Sequence, residues 1–296
     1  MRLIFSRKGF DSQYGGVPSP ILPDGRMISL PIPSSDSLCL GELKTDGIDL
    51  GALAADLTHN RINAQTAVHI DPDLRDSALA RKPGWRPAFG QIAAAQGHLK
   101  KQCVGPGDLF LFFGWFRKVE RIDGVWRYMP GSPDIHTLFG WLQIGEVLPV
   151  TNRVQNIVSS HSWLREHPHI VTADHFSSMN NTIYVAAESL TLGGTNMGCP
   201  GGGVFERFIP SLRLTAADRK RSCWSMPAWF IPVDGRPALS YHGKQSRWVE
   251  DSNSVLLQTV SKGQEFVLDC DYYPEATEWL ATLLTESLPA RIAEVL

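Results

Sequence analysis

The chain is patterned mainly by short apolar runs that are bounded by glycine, proline and charged residues. Such runs predict strands, whereas apolar positions that recur every third or fourth residue predict helices. The predicted strands span residues 1–6, 27–30, 67–70, 108–117, 125–129, 138–147, 183–187, 189–192, 228–231 and 264–268. The predicted helices span residues 48–57, 89–101, 213–221 and 273–284, and residues 74–80 could form a further short helix.

Strands outnumber helices in this pattern and do not alternate regularly with them. The predicted fold class is therefore α+β, with helices flanking a mixed, mostly antiparallel β-sheet. No stretch of linker composition divides the chain, so we predict a single large domain over residues 1–296.

The composition is that of a folded protein, with 43% hydrophobic and 20% charged residues, which excludes a largely disordered chain. No apolar run reaches the length of about 18 residues that predicts a membrane span. The first residues turn polar too soon for a signal peptide.

The five cysteines are odd in number and far apart, without a Cys-x-x-Cys pair. We therefore expect reduced thiols and a cytoplasmic protein.

Charge is unevenly distributed along the chain, whose net charge is −2. Residues 248–296 hold nine acidic and two basic residues, a net charge of −7, so residues 1–247 carry +5. This asymmetry predicts a cationic face for a polyanion, with the acidic segment 248–296 packed behind it as a cap. Ordinary solvated surface charge explains the same pattern equally well.

The first candidate site is the loop at residues 6–12, which directly follows the predicted N-terminal strand. Arg7 and Lys8 suit a phosphate or another anion, and Asp11 could act as a base or stabilise a cation. A polar turn with a local Asp–Lys pair is the structural alternative. The chain contains neither GxxxxGK[ST] nor GxGxxG, so a P-loop or dinucleotide site is not supported.

The second candidate site is the segment His69-Ile70-Asp71-Pro72-Asp73. Alternation along a strand sends His69 and Asp71 to the same face, and Pro72 then fixes where Asp73 lies. Two carboxylates and an imidazole suit proton transfer, activation of water, or stabilisation of a sugar cation. Asp73 could instead cap the short helix over residues 74–80.

Further polar residues could contact DNA. Gln91 and His98 share one face of the predicted helix 89–101, and Arg117 ends an aromatic strand whose rings could stack on bases. Asn180 and Asn181 could read an amide or a phosphate. The alternatives are close helix packing, an ordinary aromatic core and a turn, respectively.

Histidines cluster at residues 161, 167, 169 and 175, close to Asp174. A metal site would need a third ligand at a defined spacing, and neither HExxH nor the H-x-E…P-C-x-x-C pattern occurs. We therefore predict no metal ligands and no cofactor.

Three strings carry a resemblance to a known family: SRKGFDSxYGGxPSPIxPDG at residues 6–25, HIDPDL at 69–74 and GDLFLFFGWFR at 107–117. They resemble the third nucleotide-modification-associated domain family. The resemblance implies a bacterial or phage-linked protein that processes or recognises modified nucleotides in DNA. It also suggests similarity to defence enzymes that excise modified bases from phage DNA. No catalytic residue is carried over from the family.

These observations favour one hypothesis and leave two alternatives to it. The first is a DNA glycosylase that flips out a modified base and cleaves its N-glycosidic bond. In it Asp11, Asp71 or Asp73 supplies the carboxylate, and Lys8 binds phosphate unless it is itself the nucleophile. The second is a non-catalytic reader of modified DNA. The third is a metal-dependent hydrolase or phosphotransferase. Modified DNA is the expected partner in each, and a membrane is not.

Overall fold

The computed structural model describes residues 1–45, 47–173, 179–233 and 235–287. Its strands are, in chain order, β1 (Arg2–Arg7), β2 (Ser19–Ile21), β3 (Ile32–Pro33), β4 (Lys44–Thr45), β5 (Ile48–Asp49), β6 (Val68–His69), β7 (Ala88–Gln91), β8 (Leu109–Ile122), β9 (Val125–Tyr128), β10 (Ile135–Pro149), β11 (Thr182–Ala186), β12 (Ser189–Leu192), β13 (Thr195–Pro200), β14 (Gly202–Val204), β15 (Cys223–Pro227), β16 (Trp248–Asp251), β17 (Ser254–Gln258) and β18 (Glu265–Asp269). Its helices are α1 (Leu50–Thr58), α2 (Ala93–Lys101), α3 (Val154–Ser160), α4 (Pro168–Val171) and α5 (Glu275–Ser287).

The largest sheet of the described residues has nine strands in the main order β18-β1-β8-β10-β11-β7. Strands β2 and β9 also pair with β8, and β14 pairs with β10. Strand β8 is parallel to β1 and β2, whereas the remaining pairs of this sheet are antiparallel. The α+β fold around a mixed, mostly antiparallel sheet is therefore confirmed.

The centre of the sheet is apolar because β8 and β10 are covered on both faces. Phe110 and Phe112 are fully buried on β8, and the ring centroid of Phe89 lies 5.1 Å and 5.3 Å from theirs. The aromatic run is thus core, which explains why this strand could be recognised from sequence. Leu280, Leu283 and Leu284 bury one face of α5 against the same core.

Several sequence predictions of local structure are wrong, and tertiary contacts explain two of the differences. Residues 89–91 belong to β7 rather than to a helix, because they pair with β11. No α-helix forms over residues 213–221, where the Thr215 hydroxyl accepts from the backbone N–H of His136 on β10 instead of capping a helix. Residues 228–230 form a 3-10 helix, not a strand, and only residues 76–78 of the segment 74–80 are helical, again as 3-10 helix.

The acidic segment contributes β18 to the main sheet, where this strand pairs with β1. The predicted cap extends to residue 296, beyond the described residues, and it stays a prediction. None of the described helices is both long and apolar enough to cross a membrane.

Candidate active site

The short strand β6 brings His69 and Asp71 to one side of the chain, as the alternation of side chains predicted. The Nε2 atom of His69 lies 3.8 Å from Oδ2 of Asp71. The other carboxylate oxygen of Asp71, Oδ1, accepts a hydrogen bond of 2.7 Å from the backbone N–H of Gly90 on β7. The carboxylate is therefore held between two strands.

The short helix α4 supplies the third member of the cluster. Pro168 occupies the first helical position, where a missing N–H is tolerated, and the His167 side chain accepts from the backbone N–H of His169 at the helix start. The Nε2 atom of His169 lies 3.5 Å from Oδ2 of Asp71. Both imidazole Nε2 atoms thus approach the same carboxylate oxygen.

Close packing of His169 depends on a glycine. A Cβ atom added at Gly90 would lie 2.2 Å from the His169 ring. The imidazole therefore lies directly over the backbone that holds Asp71, and no larger residue fits at position 90 without a shift of one or the other.

A second layer of polar residues fixes the orientation of both imidazoles. Nδ1 of His69 lies 2.6 Å from Oδ2 of Asp36, and Nδ1 of His169 lies 2.7 Å from Oδ1 of Asn181. The Asn181 amide also donates to the backbone carbonyl of His169 at 2.8 Å. Because both partners of Nδ1 are acceptors, each Nδ1 carries a proton, and each Nε2 is directed at Asp71.

His167 completes the cluster from behind. Its Nδ1 atom accepts from the His169 backbone, and its buried Nε2 atom has no hydrogen-bond partner among the residues that the structure describes. That Nε2 atom lies 4.0 Å from Oδ1 of Asp71. Burial lowers the pKa of His167 to about 3, so this imidazole is neutral and its Nε2–H points toward the carboxylate.

The pKa values in the cluster are set by burial and by the contacts of its members with one another. Burial alone would raise the pKa of Asp71, but contacts with His169 and His69 hold it well below its usual range. Burial likewise opposes the charged form of His69, yet hydrogen bonding to Asp36 and Asp71 raises its pKa to about 9. The hydrogen bond with His69 also lowers the pKa of Asp36.

His69, Asp71 and His169 form one wall of a cleft with a volume of about 570 Å³. The cleft is also lined by residues from the end of β1, from the loop that follows it and from the end of β7. The polar residues among them are Arg7, Lys8, Asp11, Tyr14 and Gln91. The structure thus brings together Arg7, Lys8, Asp11, His69, Asp71 and Gln91, all of which the sequence analysis named.

Lys8 and Gln91 share one buried partner that the sequence analysis did not identify. Glu265 on β18 is 1% exposed, and its Oε1 atom accepts from Lys8 Nζ at 2.9 Å and from Gln91 Nε2 at 2.6 Å. The Lys8 ammonium also lies 4.5 Å from the ring centroid of Phe89. The charge of Lys8 is therefore balanced within the fold.

The other two residues of the loop differ in how they are held. Arg7 donates to the backbone carbonyls of Gly263, at 2.7 Å, and Ser261, at 3.3 Å, which do not neutralise its charge. The Asp11 carboxylate accepts from the backbone N–H groups of Gln13 and Tyr14, both at 2.7 Å, so it shapes the turn at the mouth of the cleft.

Five predicted residues do not line this cleft. Asp73 is buried, where Arg81 binds both carboxylate oxygens, at 2.7 Å and 2.6 Å. His98 on α2 contacts the Ser240 hydroxyl at 3.0 Å. Arg117 lies over the ring of Tyr128.

The fourth is Asn180, which takes a turn conformation with a φ of 56°. The fifth is its neighbour Asn181, which is 1% exposed and orients His169. His175 and Asp174 of the histidine-rich segment lie outside the described residues.

Two members of the site carried little signal in the sequence. Asp36 lies in a serine-rich loop that looks like an ordinary turn. His169 was noticed with His167, but its partners His69 and Asp71 are about 100 residues away in the chain. Of the described residues, His69, Asp71 and His169 form a group that could hold a metal ion, with one ligand atom each and all three atoms within 4.8 Å of one another.

Comparison with known proteins gives one result. The family model described as nucleotide modification associated domain 3 matches residues 2–269, which include every residue of the cleft. No curated protein and no solved structure matches the chain.

Proposed function

Because the chain belongs to the nucleotide modification associated domain 3 family, we propose that it is a hydrolase of modified nucleotides in DNA. In this proposal the cleft is the active site, and His69, Asp71 and His169 are the reacting groups. The family supplies the substrate class, and the chemistry of the cleft supplies the reaction type.

One observation carries the proposal: a carboxylate and two imidazoles from separate segments meet on the wall of an open cleft. The side chain of Asp71 is 6% exposed and that of His169 is 4% exposed. Burying ionisable groups together costs stability, so such clusters are enriched at functional sites. The cleft volume of about 570 Å³ is in the range of small-molecule sites and is sufficient for a nucleotide.

The loop after β1 supports binding of a phosphorylated substrate. The Arg7 guanidinium lines the cleft and keeps its positive charge, because its hydrogen-bond partners are carbonyl oxygens. A planar guanidinium suits a phosphate through two parallel hydrogen bonds. Lys8 instead holds Glu265 and Gln91 in place, so its role in this proposal is to support the floor of the cleft rather than to act as a nucleophile.

Hydrolysis in this cleft requires only water as the second reactant. The water oxygen bonds to the electrophilic atom of the substrate, the bond to the leaving group breaks, and the proton of water passes through the cluster to the leaving group. Base excision, the reaction favoured by the sequence analysis, is the second candidate, since a carboxylate at the cleft could also stabilise a sugar cation.

The test is mass spectrometry of products after the purified full chain is incubated with DNAs and nucleotides that carry different modified bases. Unmodified DNA of the same sequence is the matched control. We expect product from at least one modified substrate, and its mass identifies the broken bond as the glycosidic bond, a phosphate ester or the bond to the modifying group. Tight binding of modified DNA without any product would contradict the proposal and support a reader.

A further inference from the structure

We propose that His69, Asp71 and His169 bind a divalent cation of the zinc class through Nε2, Oδ2 and Nε2, respectively. The inference rests on the proposed function for its substrate but on its own geometry for the ion. It replaces the expectation from sequence that no residue of the chain ligates a metal.

Two of the three pairs of ligand atoms lie close to the spacing that one ion needs, and all three atoms lie within 4.8 Å of one another. Tetrahedral ligands at about 2.1 Å from zinc lie about 3.4 Å from one another. Oδ2 of Asp71 lies 3.5 Å from Nε2 of His169 and 3.8 Å from Nε2 of His69. Shifts of a few tenths of an ångström would therefore bring these pairs to ligand spacing.

The orientation of the imidazoles is the second argument. Metal-binding histidines almost always donate their other ring N–H to a carboxylate or a carbonyl, which fixes the tautomer and the ring plane. Asp36 does this for His69 and the Asn181 amide oxygen does it for His169, at 2.6 Å and 2.7 Å. Two independent partners thus aim the Nε2 atoms of both imidazoles at the same carboxylate oxygen.

A third argument comes from the atoms around the other oxygen of Asp71. Oδ1 accepts from the Gly90 N–H, and the Nε2 atom of His167, which has no hydrogen-bond partner within the described part of the chain, lies 4.0 Å from it. The side chain of His167 is 4% exposed. These donors occupy the side of Oδ1, so Oδ2 is the oxygen that remains for a cation.

Three protein ligands leave at least one position open, and the ligands line the cleft, so the open position faces substrate and water. A cation there would polarise a phosphoryl or carbonyl oxygen and activate a bound water. It would repel a positively charged sugar. The ion therefore favours hydrolysis of a phosphate ester or of an acyl-type bond in the modification over base excision.

The test is metal binding by the full chain, measured without substrate. After chelation and dialysis, zinc is titrated and its content determined, and cobalt(II) is titrated with detection of its visible absorption. We expect one ion per chain and the absorption of four- or five-coordinate cobalt. His69→Ala and His169→Ala are each expected to weaken binding at least 100-fold, and Asn181→Ala about 10- to 100-fold.

His161→Ala is the matched control. His161 lies outside the cluster, where its Nε2 atom contacts Glu146 at 3.1 Å, so its loss is expected to leave the metal affinity unchanged. Circular dichroism checks that each variant folds. If the alanine variants do not fold, the wild-type stoichiometry and cobalt spectrum decide alone. Substoichiometric binding, an octahedral cobalt spectrum, or unchanged affinity in folded His169→Ala overturns the inference.

Failure of the metal site and failure of the proposed function are distinguishable. Product formation by a chain that binds no ion would overturn the metal inference and leave the hydrolase. One tightly bound ion with no product from any modified substrate would overturn the hydrolase and leave the metal site.

Discussion

Replacing Gly90 with alanine tests the cleft geometry with the addition of one methyl group. The new Cβ would lie 2.2 Å from the His169 ring, whereas ordinary contacts begin at 3.4 Å. The imidazole must therefore move by about 1.2 Å, which breaks its contact with Asp71 and its hydrogen bond to Asn181. Overpacking costs about 1–3 kcal/mol and each lost hydrogen bond about 1 kcal/mol, so we expect a destabilisation of about 2–4 kcal/mol.

Gly97→Ala is the matched control, because a Cβ at Gly97 on α2 meets nothing within 4 Å. That variant is expected to gain about 0.5–1 kcal/mol from helix propensity. Urea denaturation measures both, and a displacement of about 1 Å at a reacting group predicts a roughly 100-fold loss of rate in Gly90→Ala. Wild-type stability and rate in Gly90→Ala would refute the placement of His169 over this backbone.

Three further perturbations separate support of the fold from chemistry. Lys8→Ala is expected to lower the free energy of unfolding by about 3 kcal/mol in urea denaturation, because it leaves the buried Glu265 carboxylate without its cation. Adding Glu265→Gln should recover much of this loss. Unchanged stability of Lys8→Ala would contradict the buried ion pair. Asp73→Asn is expected to cost about 2 kcal/mol through loss of the bidentate pair with Arg81, and a variant as stable as wild type would contradict that role. Burial lowers the pKa of His242 from 6.5 to about 4. The stability linked to this group is therefore complete above pH 6.5 and falls by about 3 kcal/mol as the pH drops to 4. His242→Gln should flatten that fall in denaturation measurements, and an unchanged slope of stability against pH would contradict the prediction.

The strands of the sheet could be predicted because each buried strand is a continuous run of apolar residues in the sequence. The aromatic run at 108–117 forms the first part of β8, and alternation at residues 67–70 correctly predicted His69 and Asp71 on one side. Gln91 was assigned to a helix because the alanines after it have helical spacing. Pairing with β11 decides its conformation, and that pairing is not visible in a local window.

Only part of the candidate site could be predicted from the sequence. His69 ends β6 and Asp71 follows two residues later, so a period of two identified them. His169 joins them through the packing of α4 over Gly90, which depends on contacts between segments far apart in the chain. Asp73 has the same chemistry as Asp71 two residues earlier, and only the position of Arg81 shows that it supports the fold.

The central claim is that the cleft at Asp71 carries the chemistry, and the neighbouring aspartates test it most directly. The measurement is the initial rate of product formation from a modified DNA substrate by wild type, Asp71→Asn and Asp73→Asn, each at a temperature where it is folded. The account predicts at least a 100-fold loss in Asp71→Asn and a rate within a few-fold of wild type in Asp73→Asn. Wild-type turnover in Asp71→Asn, or a loss confined to Asp73→Asn, would contradict it.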